Sequence, residues 1–197
     1  KFTIKEASAL QPFPQDPSYG DFIAQLADYY QQDPLFFFKR LKTFLTGTQK
    51  ELVKDKPLYQ EKQTVLLTSE QAHVVEFVNT MIGAKQFCPT LLHGVTGAGK
   101  TEVYQRLIIK NALLGKSSIV LLPEVSLATQ FQDIFISQLP SSISVLGFHS
   151  ATGARERKEL WSLLLSSKPV VIVGVHLPIL LPFSNLGLII IDEEHET

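Results

Sequence analysis

Cysteine is almost missing from this chain. Cys88 stands alone, so neither a disulfide framework nor a multi-cysteine metal site can be built within it. An excess of charge of one sign is missing too: 18 basic residues face 19 acidic ones, for a formal net charge of −1. Bulk charge therefore lends no support to a nucleic-acid partner, and any basic groove would have to be local. The longest apolar stretch, 170–183, falls short of the roughly 18 residues of a membrane span and is interrupted by His176 and Pro178. No basic segment followed by an apolar one marks a secretory leader. A cytoplasmic protein is expected. The only methionine is Met81, and the chain runs from Lys1 to Thr197, just past an acidic cluster. It reads as a piece excised from a longer protein.

What is present suits a folded domain. Of 197 residues, 45% are hydrophobic and 19% charged, enough apolar material for a sizeable core and too much for a disordered chain. Residues 1–47 read as a small helical segment. The stretch Gln11–Pro17 is punctuated by proline. Phe22, Ile23, Leu26, Ala27, Tyr29 and Tyr30 then recur at helical spacing, with Asp21 as the expected N-cap. Asp33-Pro34 opens a second helix carrying Phe36, Phe37, Leu41, Phe44 and Leu45, closed near Gly47. The aromatic run 36–38 with Lys39, Arg40 and Lys42 suits either a packed helix face or base stacking. Residues 48–65 are rich in charge and read as a linker.

From residue 66 to 197, short apolar runs alternate with amphipathic helices. Thr68-Ser-Glu-Gln71 has the form of a capped helix start. Strands are expected at 91–93, 119–122, 145–148, 170–173 and 188–191, and helices at 100–114, 126–139 and 154–165. Strands apolar on both faces and separated by helices imply a mostly parallel sheet covered by helices on both sides, an α/β fold.

Two motifs carry chemistry. The first is Gly94-Val95-Thr96-Gly97-Ala98-Gly99-Lys100-Thr101, which fits the phosphate-loop spacing. Phosphate oxygens must be met by several backbone N–H groups at once, and glycines let the chain curl around them. A helix starting at Lys100 points its positive end at the same anion. Lys100 would neutralise phosphate charge, and the Thr101 hydroxyl would ligate Mg²⁺. The second is Leu188-Ile-Ile-Ile-Asp192-Glu193-Glu194-His195. An apolar strand places Asp192 at its carboxyl end, where ligands bind in open α/β sheets. Asp192 would share the Mg²⁺ with Thr101, and Glu193 would orient or deprotonate the attacking water. Asp-Glu-Glu-His has the form of the box of superfamily-two helicases.

Further segments extend the likeness. Glu102-Val-Tyr104, Leu122-Pro-Glu-Val-Ser-Leu127, Phe148-His-Ser150 with Glu156-Arg157 and Trp161, and Pro182-Phe-Ser-Asn-Leu-Gly187 stand around the two motifs. In this order and spacing, 66–197 resembles the primosomal protein N′ (PriA) family of bacterial replication-restart helicases. The resemblance implies a RecA-like P-loop lobe, the first of two, in an ATP-driven 3′–5′ DNA helicase. Such a helicase acts at stalled forks and initiates primosome assembly. It also implies that Thr68 and Gln71 approach the adenine, that Pro123, Glu124 and Ser126 lie along single-stranded DNA, and that zinc is held in a downstream part. Implied partners are forked and single-stranded DNA, other primosome proteins and single-strand-binding proteins. By their own chemistry, Ser126 and Thr129 suit a phosphate contact or a helix cap, and His149 suits a relay toward DNA or a structural hydrogen bond. Where the family carries a Thr-Arg-Ser type motif, this chain has Val175-His-Leu-Pro178, without the permanently charged arginine.

Arg155, Arg157 and Lys158 with Glu156 and Glu159 read as a solvated helix face, and Cys88 as a small hydrophobe. Two other readings share the phosphate loop: a nucleotide-dependent protein-binding switch, and a DNA translocase from another superfamily-two branch. A helicase site is completed by an arginine from a second lobe, so the 197-residue chain alone is expected to turn over little or no ATP.

Overall fold

The computed structural model describes residues 12–46, 66–83, 87–95 and 97–192, with side chains of 43–46 and 83 set aside. The expected helix stop at Gly47, the linker at 48–65, Thr96, Glu193 and His195 lie outside the described residues.

Among the described residues, six helices, four strands and one short 3-10 turn follow in order. They are α1 Tyr19–Tyr29, α2 Pro34–Thr46, α3 Ser69–Gly83, α4 Lys100–Leu113, β1 Ser117–Leu121, α5 Val125–Gln138, β2 Ser144–Phe148, α6 Ala154–Leu165, β3 Val170–Gly174, the turn Leu177–Leu180, and β4 Leu186–Ile191. The strands form one sheet in the order β2-β3-β1-β4, and every pairing is parallel. Val, Ile and Leu on both faces of β1, β2 and β3 leave neither side of those strands fit for water, while on the edge strand β4 Ile189 and Ile191 are exposed. On one face Tyr104 and Ile108 of α4 and Ala128 and Phe135 of α5 pack on Val120, Val171, Val173 and Ile190. On the other, Leu160 and Leu164 of α6 and Leu41 of α2 pack on Ile119, Leu146, Ile172 and Phe148. Burial of each such Val, Leu, Ile or Phe side chain contributes about 1.5–3 kcal/mol. The fold is the α/β sheet with helices on both faces that the patterning implied.

One expected strand is not formed. Residues 91–93 pair with no strand among the described residues, Leu91 is exposed, and Leu92 only packs against the α4–α5 core. Pro89 lacks a donor and Gly94 closes the run after three residues, too short to hold a ladder on apolar patterning alone. The expected N-cap at Asp21 is also displaced. α1 begins at Tyr19 with Ser18 in the cap position, and Asp21 sits in the first turn, where its charge favours the helix dipole. Asp16 supports this start by accepting from the Ser18 N–H at 3.0 Å.

α1 and α2 dock on the sheet domain. Tyr19, 5% exposed, donates its hydroxyl to the Leu180 carbonyl at 2.6 Å, and Ile23, Ala27 and Phe37 join Leu180 in a third core cluster. Of the aromatic run, Phe37 is thus buried, Phe38 half-buried and Phe36 exposed. Asp33 opens α2 by accepting from the Leu35 N–H at 2.7 Å. Cys88, read as a small hydrophobe, is exposed.

Burial, with Asp16 adding a smaller push, raises the Tyr19 phenol from 10.0 to about 12. The folded state therefore holds this proton more tightly than the unfolded chain. Its stabilising effect is complete below pH 10 and is lost as pH rises toward 12. Tyr19→Phe should cost about 1 kcal/mol in urea melts at neutral pH and should flatten the fall in stability between pH 10 and 12. An unchanged alkaline profile would remove Tyr19 from that role.

Candidate nucleotide-binding site

The site begins with how α4 is aimed. At its far end Asn111, fully buried, donates from Nδ2 to the Ser117 carbonyl and to the Ser118 hydroxyl, each at 2.9 Å. This ties the end of α4 to the start of β1, so the helix start at Lys100 lies over the carboxyl edge of the parallel sheet. The loop before it is curled by Gly97 and Gly99, at φ 83° and 74°, with the Ala98 N–H closing a turn on the Val95 carbonyl at 3.1 Å. Both angles belong to the left-handed region that glycine enters without steric cost. Lys100 is half-buried and folds back, its Nζ donating to the Gly94 carbonyl at 3.2 Å. The ammonium is thereby held across the loop mouth instead of extending into solvent.

Thr68 and Gln71 form a capping box at the start of α3. The Gln71 N–H donates to Thr68 Oγ1 at 3.2 Å, and the Thr68 N–H donates to Gln71 Oε1 at 3.0 Å. The same carboxamide uses its Nε2 to reach the loop, donating to the Ala98 carbonyl at 2.9 Å. One side chain thus couples the helix start of α3 to the conformation of the loop. That link spans 27 residues of sequence, and no local pattern announces it.

Asp192 follows β4 on the same edge and is 9% exposed. Its N–H donates to the Leu121 carbonyl at 3.0 Å, which prolongs the β1–β4 ladder by one residue. Its Oδ1 accepts from the Tyr104 hydroxyl at 2.9 Å. Tyr104 lies one turn beyond Lys100 and Thr101 on α4, so this bond ties the two motifs together. Thr101 is half-buried near the helix start.

The remaining predicted residues also follow strands and so gather at the carboxyl edge. Pro123 and Glu124 succeed β1, and Glu124 takes the N-cap position of α5 in an extended conformation without a side-chain cap bond. Neither hydroxyl caps α5: Ser126 donates to the Glu124 carboxylate, and Thr129 donates back to the Val125 carbonyl at 2.9 Å. His149 succeeds β2 and is 5% exposed. Its N–H bonds Thr152 Oγ1 at 2.9 Å, and its Nδ1 accepts from the Ala151 N–H at 3.3 Å. A cavity of about 490 Å³ lies along α5, lined by Ser126, Thr129, Gln130, Asp133, Ile134 and Ser137.

The α6 face is not the fully solvated surface its charges suggest. Arg155, Lys158 and Glu159 are exposed, but Arg157 is 2% exposed, and burial lowers its basicity. Glu156 turns inward and accepts from the Gly147 N–H and from Gln132 Nε2, both at 2.6 Å. This bracing of β2 by α5 and α6 depends on long-range contacts, and only the Glu-Arg pair hints at it.

The donor set fits a small hard cation beside phosphates. Tyr104 engages one oxygen of Asp192, and the carboxylate's second oxygen and the Thr101 hydroxyl are ligands of the kind Mg²⁺ takes. Among the described residues no group of three His, Cys, Asp or Glu side chains is placed to hold a metal. An ion here would be held by one carboxylate, one hydroxyl and the phosphates themselves.

Residues 68–197 match the DEAD/DEAH box helicase family, whose members use nucleotide and Mg²⁺. The chain is 37% identical over 140 residues to the replication restart protein PriA of Bacillus subtilis, covering 71% of this chain and 17% of that protein. It is 41% identical over 131 residues to PriA of Chlamydia trachomatis, covering 66% and 17%. With PriA of Rickettsia felis it shares 31% over 205 residues, which takes in 98% of this chain and 30% of the relative. The chain thus spans less than a third of the length of each of these relatives.

A Cβ at Gly99 would run into the Gln71 amide while the backbone there sits at φ 74°. Gly99→Ala should therefore lower stability by about 1–2 kcal/mol, through left-handed strain and a displaced Gln71. Adding Gln71→Ala should relieve part of that loss. Urea melts of the single and double variants check this, and strictly additive losses would break the coupling between the two positions.

Proposed function

Because the chain belongs to the DEAD/DEAH box helicase family, we propose that it is the first RecA-like lobe of an ATP-driven replication-restart motor. In this reading residues 66–197 form the lobe, 48–65 a linker, and 1–47 the end of an accessory region. The whole protein moves 3′ to 5′ on DNA at stalled forks in the cytoplasm, starts primosome assembly, and meets single-strand-binding proteins there. Zinc belongs to a downstream part. One observation carries the proposal: the phosphate loop before α4 and Asp192 after β4 occupy one edge of the sheet, joined by the 2.9 Å bond from Tyr104 to Asp192.

In this reading the residues take the following roles, which the placement of the loop and of Asp192 supports. Backbone N–H groups at 97–101 and the dipole of α4 hold the phosphates. Lys100 exchanges the Gly94 carbonyl for a phosphate oxygen. Thr68 and Gln71 set the conformation of the loop and lie beside the base. Thr101 and Asp192 hold Mg²⁺, which when bound neutralises charge building on the transferred phosphoryl group. Glu193 orients the attacking water as general base. Pro123, Glu124, Ser126 and His149 border the path of the DNA strand, close enough to the same edge to sense nucleotide state.

ATP hydrolysis by the full-length protein, measured with and without forked DNA, tests this reading. DNA should raise turnover at least about tenfold, and Lys100→Ala should abolish it. Hydrolysis indifferent to DNA would favour a nucleotide-dependent protein-binding switch instead.

Two companion results are expected. Glu193→Gln in the full-length protein should bind nucleotide as the parent does and hydrolyse at least about a hundredfold more slowly. The 197-residue chain alone should turn over about a thousandfold more slowly than the whole protein, lacking an arginine from a second lobe. Rapid turnover by the isolated chain would contradict the two-lobe arrangement.

A further inference from the structure

Tyr104 is built like a core residue and ends like a polar one. It is 6% exposed, packed among Ile108, Val120, Val173 and Ile190, and its hydroxyl leaves that apolar setting to donate to Asp192 Oδ1 at 2.9 Å. A phenylalanine would serve the packing equally well. A buried phenol donating to a carboxylate is instead a directed, charge-assisted contact, stronger than a neutral one.

We propose that Tyr104 is a positioning residue for the metal-binding carboxylate: its hydroxyl occupies Oδ1 of Asp192 and leaves Oδ2 to face the cation. The inference rests on the proposed role of Asp192 in holding Mg²⁺. Three features make the arrangement stiff. The Asp192 backbone is tied to β1 through the Leu121 carbonyl at 3.0 Å. Tyr104 stands one turn after Thr101 on the same helix, so both members of the donor set are referred to α4. Asn111 fixes the far end of that helix to β1. A carboxylate whose Oδ1 is engaged by the tyrosine hydroxyl favours presenting Oδ2 to an ion, so Asp192 would serve as a one-oxygen ligand beside the α4 start. Mg²⁺, which demands near-ideal octahedral geometry, gains from such a fixed ligand more than larger ions do.

The test is binding of a fluorescent ADP analogue to the full-length protein as Mg²⁺ is titrated, with a parallel titration in EDTA. Tyr104→Phe should raise the Mg²⁺ concentration for half-saturation about tenfold, the worth of one charge-assisted hydrogen bond. Affinity in EDTA should be unchanged. Incorporation of 4-aminophenylalanine at position 104, which restores a donor, should recover most of the parent's Mg²⁺ dependence. An identical Mg²⁺ dependence in Tyr104→Phe, or an equal loss of affinity in EDTA, would show that Tyr104 only packs. If the phenylalanine variant does not fold, 4-fluorophenylalanine at position 104, which fills the space of the hydroxyl without a donor, takes its place: the same tenfold rise supports the proposal, and a parent-like Mg²⁺ dependence overturns it. A parent protein whose nucleotide binding ignores Mg²⁺ would instead overturn the role of Asp192 itself.

Discussion

A parallel sheet can be wound only if every strand is returned to the same starting edge, and that constraint places everything of chemical interest in this chain. Each strand of the order β2-β3-β1-β4 delivers its carboxyl end to one side. Helices and turns carry the chain back across the apolar faces. The segments that follow β1, β2 and β4 therefore present Pro123 and Glu124, His149 and Asp192 along one edge. α4 returns from that edge, so its positive start and the glycine-rich loop before it lie there as well. Tyr104 and Asp192 are 88 residues apart in sequence, yet in space the tyrosine hydroxyl closes the gap between the phosphate-loop helix and the acidic box at 2.9 Å.

Much of this is legible in the sequence because its signals are local. The helix at 154–165 begins and ends where the apolar spacing puts it, and β1 to β4 lie within about two residues of the runs of Val, Ile and Leu that announce them. Thr68 and Gln71 cap α3 as their spacing implies. What stays hidden depends on partners distant in sequence. Leu91–His93 carries a strand's composition without pairing, because neighbours decide whether three apolar residues join a ladder. Arg157 reads as solvated by its charge, yet the fold buries it. Tyr104 is visible as part of a motif, but nothing in the spacing says that its hydroxyl meets Asp192.

The contacts around the loop suggest how an occupied site would be felt elsewhere. Gln71 joins the loop to α3, Tyr104 joins α4 to the end of β4, and Glu156 joins β2 to α5 through Gln132. Each is a single polar side chain bridging two elements that are otherwise held by apolar packing. Such bridges are directional, so each weakens steeply when its partner moves off line. α1 and α2 are fastened through Tyr19 and Leu41 on the sheet face that α6 covers, opposite to α4 and α5, and there they support the strands from behind.

The central claim is that nucleotide binds at the carboxyl edge between α4 and β4, and backbone amide NMR of the 197-residue chain during titration with Mg²⁺ and an ATP analogue addresses it most directly. The largest shifts should fall at 94–101 and at Asp192, with smaller ones at Gln71 and Tyr104. Shifts centred instead on the α5 groove at Ser126–Ser137, with the loop unmoved, would contradict the claim.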